Sequence, residues 1–246
     1  MNLHRFSRTE MLIGEEGLAK LAAAKVIVFG VGGVGSYTVE ALARAGVGEL
    51  TLVDFDTVDI TNINRQLHAM DNTIGQYKVD LMAERVQLIN PQAKVLPLKM
   101  FYTPENGDDL LTKGYTYVID AIDNVTGKID IIQRCYKNNI SVISCMGAGN
   151  KLDPAAFRVA DISETSVDPL ARVIRRELRK HDIHKGVKVV FSLESPLVPR
   201  TKLTKAKNDT EVGARQKSLA PGSISFVPAA AGLIMAGAVV REIIQV

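Results

Sequence analysis

The stretch VIVFGVGGVGSYTVEALARAG, residues 26–46, restricts the fold of this chain more than any other. Four apolar residues run into glycines and then into helically spaced apolar positions, the signature of a buried strand turning sharply into a helix. The glycines form G-x-G-x-x-G at Gly30, Gly32 and Gly35, with Gly33 between them. In such a loop the first glycine makes the turn and the second admits a phosphate close to the backbone. The third lets the helix pack on the strand, so the phosphate meets a helix N-terminus. The next apolar run, ELTLVD, ends on Asp54, about 20 residues further on, where a dinucleotide fold places its ribose-binding acid. These residues admit a dinucleotide or another nucleotide in the same cradle.

The rest of the first 150 residues alternates. KVIVFG, ELTLVD, KVLPL, YTYVIDAID and ISVIS read as strands, and GSYTVEALARAG, GQYKVDLMAERVQLIN, PENGDDLL and GKIDIIQRCYKNN as helices. Alternation requires crossover connections, which predicts an α/β fold: a Rossmann-like, doubly wound, mostly parallel sheet with helices on both faces. After Gly149, AAFRVADIS and KVVFS read as further strands around a helix DPLARVIRRELRKHDI. The apolar stretch from Ile224 to Val240 holds Pro228 and runs into Arg241 and Glu242. It is short for a membrane span and reads as a buried C-terminal helix, with peripheral membrane contact left open. Residues 199–223 lack apolar periodicity and read as a long mobile loop. We therefore expect residues 1–150 to form a nucleotide-binding region and 151–246 a C-terminal, substrate-binding extension of the same domain. The N-terminus is polar and unlike a signal peptide, and the two cysteines, Cys135 and Cys145, form no C-x-x-C pair. A cytoplasmic, reduced protein without a structural zinc follows as an expectation.

Charge is unevenly spread. The formal net charge is +3, yet residues 172–217 hold thirteen Lys/Arg against five acids. On the helix at 170–180, Leu170, Ile174 and Leu178 mark an apolar face, with Arg172, Arg175, Arg176, Arg179 and Lys180 gathered opposite. Such a face suits a nucleic acid, or simply a solvated surface.

The stretch DFDTVDITNINRQ, residues 54–66, adds Arg65; Lys78 follows thirteen residues later, and Arg8 lies in RFSR near the start. That is more cation than a pyrophosphate needs. It suits a triphosphate attacked at its α-phosphorus, where charge builds on both the attacked phosphate and the leaving pyrophosphate. Asp123, at the carboxyl end of a strand, is placed to hold magnesium. Each residue also has a plainer reading: Asp54 as a strand-end acid, Asn62 as a helix cap, Arg65 and Lys78 as exposed helix cations, Asp123 as a turn residue.

Taken in order, the glycine loop, Asp54 with Asp56, Asn62 with Arg65 and Gln66, Lys78, and Asp123 with Asn124 resemble the enzymes that adenylate ubiquitin-like proteins and serve molybdopterin and thiamine biosynthesis. The resemblance implies ribose binding by Asp54, phosphate binding by Arg65 and Lys78 aligned by Asn62, and magnesium on Asp123. It implies further that Arg8 reaches the site of a neighbouring subunit, hence a homodimer. Members that activate carrier proteins commonly carry a zinc-binding C-x-x-C and many a thioester-forming cysteine; this chain has neither. Cys135 reads as a small buried hydrophobe, while Cys145 lies at a strand end close to the expected phosphate site.

RFSRTEMLIGEEGLAKL, NRQLHAM, AERVQLINP, GYTYVIDAIDNVTGK, GAGNKLDPAAFRVADISETSVDPLARVIRREL and VVFSLESP together resemble the bacterial tRNA threonylcarbamoyladenosine dehydratases over nearly the whole chain. That resemblance implies ATP and Mg2+, tRNA rather than DNA as the polyanion, and closure of a hydantoin ring through an acyl-adenylate. It leaves open a monovalent cation, K+ or Na+, at the GAGNKLDP turn, a sulfur-acceptor protein as partner, and the base for ring closure, for which His68, His181 and His184 are titratable candidates. The alternative is adenylation of the C-terminal glycine of a small sulfur-carrier protein. An NAD-dependent dehydrogenase would leave Arg65, Lys78 and Asp123 without work.

Overall fold

Five parallel strands come first in the chain: β1 (Lys25–Phe29), β2 (Glu49–Val53), β3 (Lys94–Leu98), β4 (Tyr117–Asp120) and β5 (Val142–Cys145). Two more, β6 (Phe157–Asp161) and β7 (Lys188–Ser192), complete one seven-stranded sheet in the order β3-β2-β1-β4-β5-β7-β6. All neighbours pair parallel except β6, which runs antiparallel to β7. The structure, a computed structural model, describes residues 3–201 and 221–245, so most of the loop expected over 199–223 lies outside the described residues. The strand order reverses between β1 and β4, and in open α/β sheets the crevice at such a reversal is where ligands bind.

Helices cover both faces. On one side α2 (Gly35–Ala45), α3 (Lys78–Ile89) and the C-terminal α7 (Phe226–Ile244) enclose the largest apolar core. On the other lie α4 (Gly107–Leu111), α5 (Val125–Lys137) and α6 (Pro169–Arg179). The apolar C-terminal stretch is the buried helix expected: α7 is long and apolar enough to cross a membrane, but Val227, Ala231, Met235 and Val239 are buried in the core. Its Gly232 lies so close to α2 that an added Cβ would stand 2.3 Å from the Val34 carbonyl oxygen, and Thr38 donates to the Gly232 carbonyl across the contact.

Several elements are shorter than the sequence suggests. α3 starts at Lys78, because residues 75–77 are tied to Thr57 and Val58 in a short antiparallel bridge. β4 ends at Asp120, and residues 121–124 bend away to start α5, which Asn124 caps. α6 ends at Arg179, before the positive φ of Asp182. Helix α1 (Ser7–Ala23), kinked at Gly14, was not among the expected elements.

Candidate active site

A cleft of about 460 Å3 opens at the carboxyl ends of β2, β1, β4 and β5. The glycine loop forms its floor. Gly30 adopts φ 83°, and an added Cβ there would press on the Ala121 carbonyl at 2.7 Å. Gly35 lies outside the lining and serves the packing of helix on strand, since a Cβ there would stand 1.8 Å from the Gly30 carbonyl oxygen. Gly30, Gly32 and Gly33 face the cleft together with Asp54, Asp56, Asn62, Arg65, Gln66, Lys78, Asp123 and Asn124, so the ordered motifs converge on one place.

Their surroundings differ. Asp54 accepts from the Val31 amide at 2.7 Å and the Asp56 amide at 2.9 Å, which fastens the end of β2 to the glycine loop. Burial raises its carboxyl above the usual range, against the pull of those two amides and of Lys78. Lys78 is buried, 4% exposed, with its Nζ 2.6 Å from Asp56 Oδ2, which rules out the exposed helix cation. Half-buried Arg65 donates to the Thr61 carbonyl at 2.7 Å and to Asn64 at 3.0 Å, and desolvation lowers its pKa. Asn62 is not itself the cap: it ends a helical turn capped by Asp59, accepts from the Asp59 amide in return, and also lines the cleft. Gln66 is buried, and among the described residues its Oε1 has no partner, an unmet acceptor at the cleft wall. Asn124 accepts from the Gly127 amide at 2.8 Å, whereas Asp123 beside it is exposed at the rim.

Arg8 sits exposed on α1 and does not line the cleft of its own chain. None of the candidate histidines lines it either. His181 and His184 are exposed, and His68 is buried with both ring nitrogens unpartnered among the described residues, its pKa pushed down to about 4 by burial and by the Lys78 charge. Cys145 does line the cleft, but burial pushes its thiol up to about 12, so it is protonated and poorly nucleophilic. Cys135 is the buried hydrophobe expected, inside α5.

The basic face of α6 needs correction. Arg175 is not free: its guanidinium donates to the Thr165 carbonyl at 2.6 Å and to the Thr165 hydroxyl at 2.5 Å. Arg176 and Lys180 both reach Glu177, at 3.0 and 2.6 Å, so an acid is mixed into the face. Arg172 and Arg179 stay exposed beside Arg176 and Lys180, and Leu170 at the start of the same helix lines the cleft.

Sequence reasoning overlooked the walls. Phe55 and Phe101 meet edge to face at 4.9 Å on one side, and the turn Met146–Gly149 forms the other. Beneath the floor, fully buried Lys128 donates to Asp120 at 2.7 Å and to the Cys145 carbonyl at 2.9 Å. The signal for it was present: Lys128 shares an apolar stripe with Ile131, Ile132 and Cys135.

The ThiF family profile matches residues 6–246. A tRNA threonylcarbamoyladenosine dehydratase of Bacillus subtilis is 52% identical over 243 residues, covering 99% of this chain and 96% of that protein. One from Haemophilus influenzae is 48% identical over 78% of this chain and 74% of its own length. The crystal structure of the E. coli enzyme of that name in complex with ATP superposes with a TM-score of 0.87 at 36% identity, covering 98% of this chain and 94% of the other. With its motifs gathered in one cleft and this likeness running end to end, the chain belongs to the ThiF family, on its tRNA threonylcarbamoyladenosine dehydratase branch.

Proposed function

We propose that this chain uses ATP to dehydrate N6-threonylcarbamoyladenosine in tRNA to its cyclic hydantoin form. The carboxylate of the substituent attacks the α-phosphorus of ATP, giving an acyl-adenylate and pyrophosphate. A nitrogen of the same substituent then attacks the acyl carbon, loses its proton and expels AMP, so the net change is loss of one water. The nucleophile is held next to its target within the substrate, and proximity takes the place of a covalent enzyme intermediate. The carrying observation is the cleft itself, where the glycine loop, Arg65, Lys78 and Asp123 converge while the one thiol present is held protonated. That favours ring closure over the sulfur-carrier alternative, whose chemistry usually needs a reactive cysteine.

In this reading Asp54 binds the ribose and the amides of Gly32 and Gly33 meet the phosphates. Arg65 and Lys78 stabilise charge on the α-phosphate and the departing pyrophosphate. A single exposed carboxylate beside phosphate-binding groups fits magnesium, which is commonly held by one or two carboxylates plus substrate oxygens. Asp123 would hold it, and the ion would neutralise phosphate charge. The tRNA backbone lies along Arg172, Arg176, Arg179 and Lys180. Arg172→Glu with Arg179→Glu should therefore weaken tRNA binding and flatten its salt dependence by roughly one to two units of slope, leaving ATP binding unchanged.

Arg8, exposed and outside its own cleft, serves a second copy of the chain in a homodimer. Mixing Arg8→Ala with Asp123→Ala subunits should then restore activity that neither variant has alone. The decisive experiment supplies ATP, magnesium and the modified tRNA and weighs the released nucleoside under mild conditions. Product lighter by one water, dependent on ATP and absent with Asp123→Ala, supports the proposal; an unchanged mass despite bound ATP refutes it.

A further inference from the structure

The turn that walls the cleft beyond β5 is held by a carboxylate that no ordered motif includes. Asp168 is 2% exposed. Its Oδ2 accepts from the Gly147 amide at 3.1 Å and its Oδ1 from the Ala171 amide at 3.0 Å. It thus caps α6 with one oxygen and grips the cleft wall with the other. The buried ammonium of Lys151 stands 3.9 Å away and itself donates to the Glu194 carbonyl at 3.0 Å. Two backbone donors and a nearby cation thus hold both oxygens of the carboxylate in place. The fit around it is close, since a Cβ on Gly147 would stand 3.0 Å from Asp168 Oδ2.

The backbone before Asp168 is strained. Val167 has φ 62°, a region that a β-branched side chain rarely adopts, and the Asp168 amide folds back onto the Ser166 carbonyl at 2.5 Å. Strain of this kind persists where surrounding contacts impose it, and it gathers at working sites. Here it aims one carboxylate between the cleft wall and the helix that carries the exposed arginines.

We propose that Asp168 is a positioning residue that locks the Met146–Gly149 wall onto α6 and so keeps water away from the acyl-adenylate until the ring closes. The inference rests on the proposed dehydration. The wall lies on the β5 side of the cleft, across β1 and β4 from Asp54, where the acyl group would stand with the ribose at β2. If the wall shifts, water attacks the acyl carbon in place of the internal nitrogen. The substrate carboxylate is then regenerated, AMP leaves, and ATP is spent without product.

The test counts AMP released per dehydrated nucleoside. Wild-type protein should give a ratio of one. Asp168→Asn keeps the shape and the cap on Ala171 but loses the charge and turns an N–H toward Gly147. It should raise the ratio to about three or more while ATP affinity stays within about two-fold. Gly147→Ala strikes the same contact from the other side and should raise the ratio as well, which keeps the test open if Asp168→Asn folds poorly. Asp153→Asn, which likewise removes a cap carboxylate but lies outside the cleft lining, should hold the ratio at one. A ratio of one in both Asp168→Asn and Gly147→Ala overturns the inference, whether turnover is full or is reduced along with thermal stability. Absence of any dehydrated nucleoside from the wild-type protein would instead defeat the dehydration reading, and this inference with it.

Discussion

Two buried lysines, each paired with an aspartate, stand on either side of the cleft floor and do different work. Lys128 and Asp120 are both 0% exposed, 2.7 Å apart. The ammonium also donates to the Cys145 carbonyl and to Ser144 Oγ, and Asp120 accepts from the Ser144 hydroxyl and the Ile122 amide. Lys78 is nearly as buried, but among the described residues its Nζ has the single partner Asp56, whose side chain is 46% exposed. An ammonium carries three donors. At Lys128 all three are met by protein and the pair is sealed. At Lys78 two are uncommitted beside a cleft, which is what an incoming anion requires. Burial alone does not separate a sealed charge from an open one; the count of unmet donors does.

Breaking the sealed pair should have the largest effect. Lys128→Ala leaves Asp120 buried and unpaired and should cost about 3–5 kcal/mol, read as a lowered urea midpoint with unchanged slope. Replacing both partners, Lys128→Met with Asp120→Val, should recover much of that loss. If the single variant were as stable as wild type, the distinction between the two pairs would fail. The open pair should respond the other way round. Lys78→Ala leaves a carboxylate that water can solvate, so stability should change by less than about 1 kcal/mol. Turnover should drop by roughly 10²–10³, with pyrophosphate exchange as the readout.

That asymmetry also explains what the sequence could show. The gathering of Gly30, Asp54, Arg65 and Lys78 at one cleft was legible because a strand turning through glycines into a helix places particular residue types at fixed spacing. Lys128 was not, because a lysine in a helix is usually solvated, and its apolar neighbours carry weight only when read against that expectation. Helix α1 escaped notice because the residues it buries are Ser7, Glu10, Gly17 and Leu21, which form no apolar stripe, and Gly14 breaks the period. Arg175 looked free because nothing local marks the Thr165 carbonyl ten residues earlier as its partner. The antiparallel course of β6 was equally hidden, since strand periodicity does not encode direction. The α/β class and the nucleotide end of the cleft were therefore readable, whereas its far wall depends on contacts between residues distant in the chain.

The charge on Lys78 should also be visible through its neighbour. His68 is neutral when folded, with its pKa lowered from 6.5 to about 4 by burial and then by Lys78. Between those two values the unfolded chain binds a proton that the folded chain does not. Stability is therefore lost as pH falls below about 6.5, and the loss levels off near 4, amounting to at most about 3 kcal/mol. Urea titrations across that window should show a steeper decline for wild type than for His68→Leu. In Lys78→Met the window should narrow from its acid side, because removing the cation raises the folded pKa. An unchanged slope in His68→Leu would mean that other groups carry the acid limb.

The smallest effect is expected at Cys145, which lies between the two regions with its carbonyl on Lys128 and its side chain at the cleft. With the thiol pushed up to about 12 by burial, under one part in about 10³ is thiolate at pH 8. Alkylation of folded protein should therefore spare Cys145, and Cys145→Ala should keep turnover within about three-fold while losing roughly 1 kcal/mol of packing. A nucleophilic role would demand the opposite: loss of turnover by several orders of magnitude and labelling of the native chain that ATP suppresses. That outcome would move the chemistry from the substrate's own nitrogen to the enzyme and would reopen the sulfur-carrier reading. The sealed pair argues against it on physical grounds, since Lys128 spends its charge on Asp120 and on the Cys145 carbonyl and the thiol's pKa stays high in spite of it.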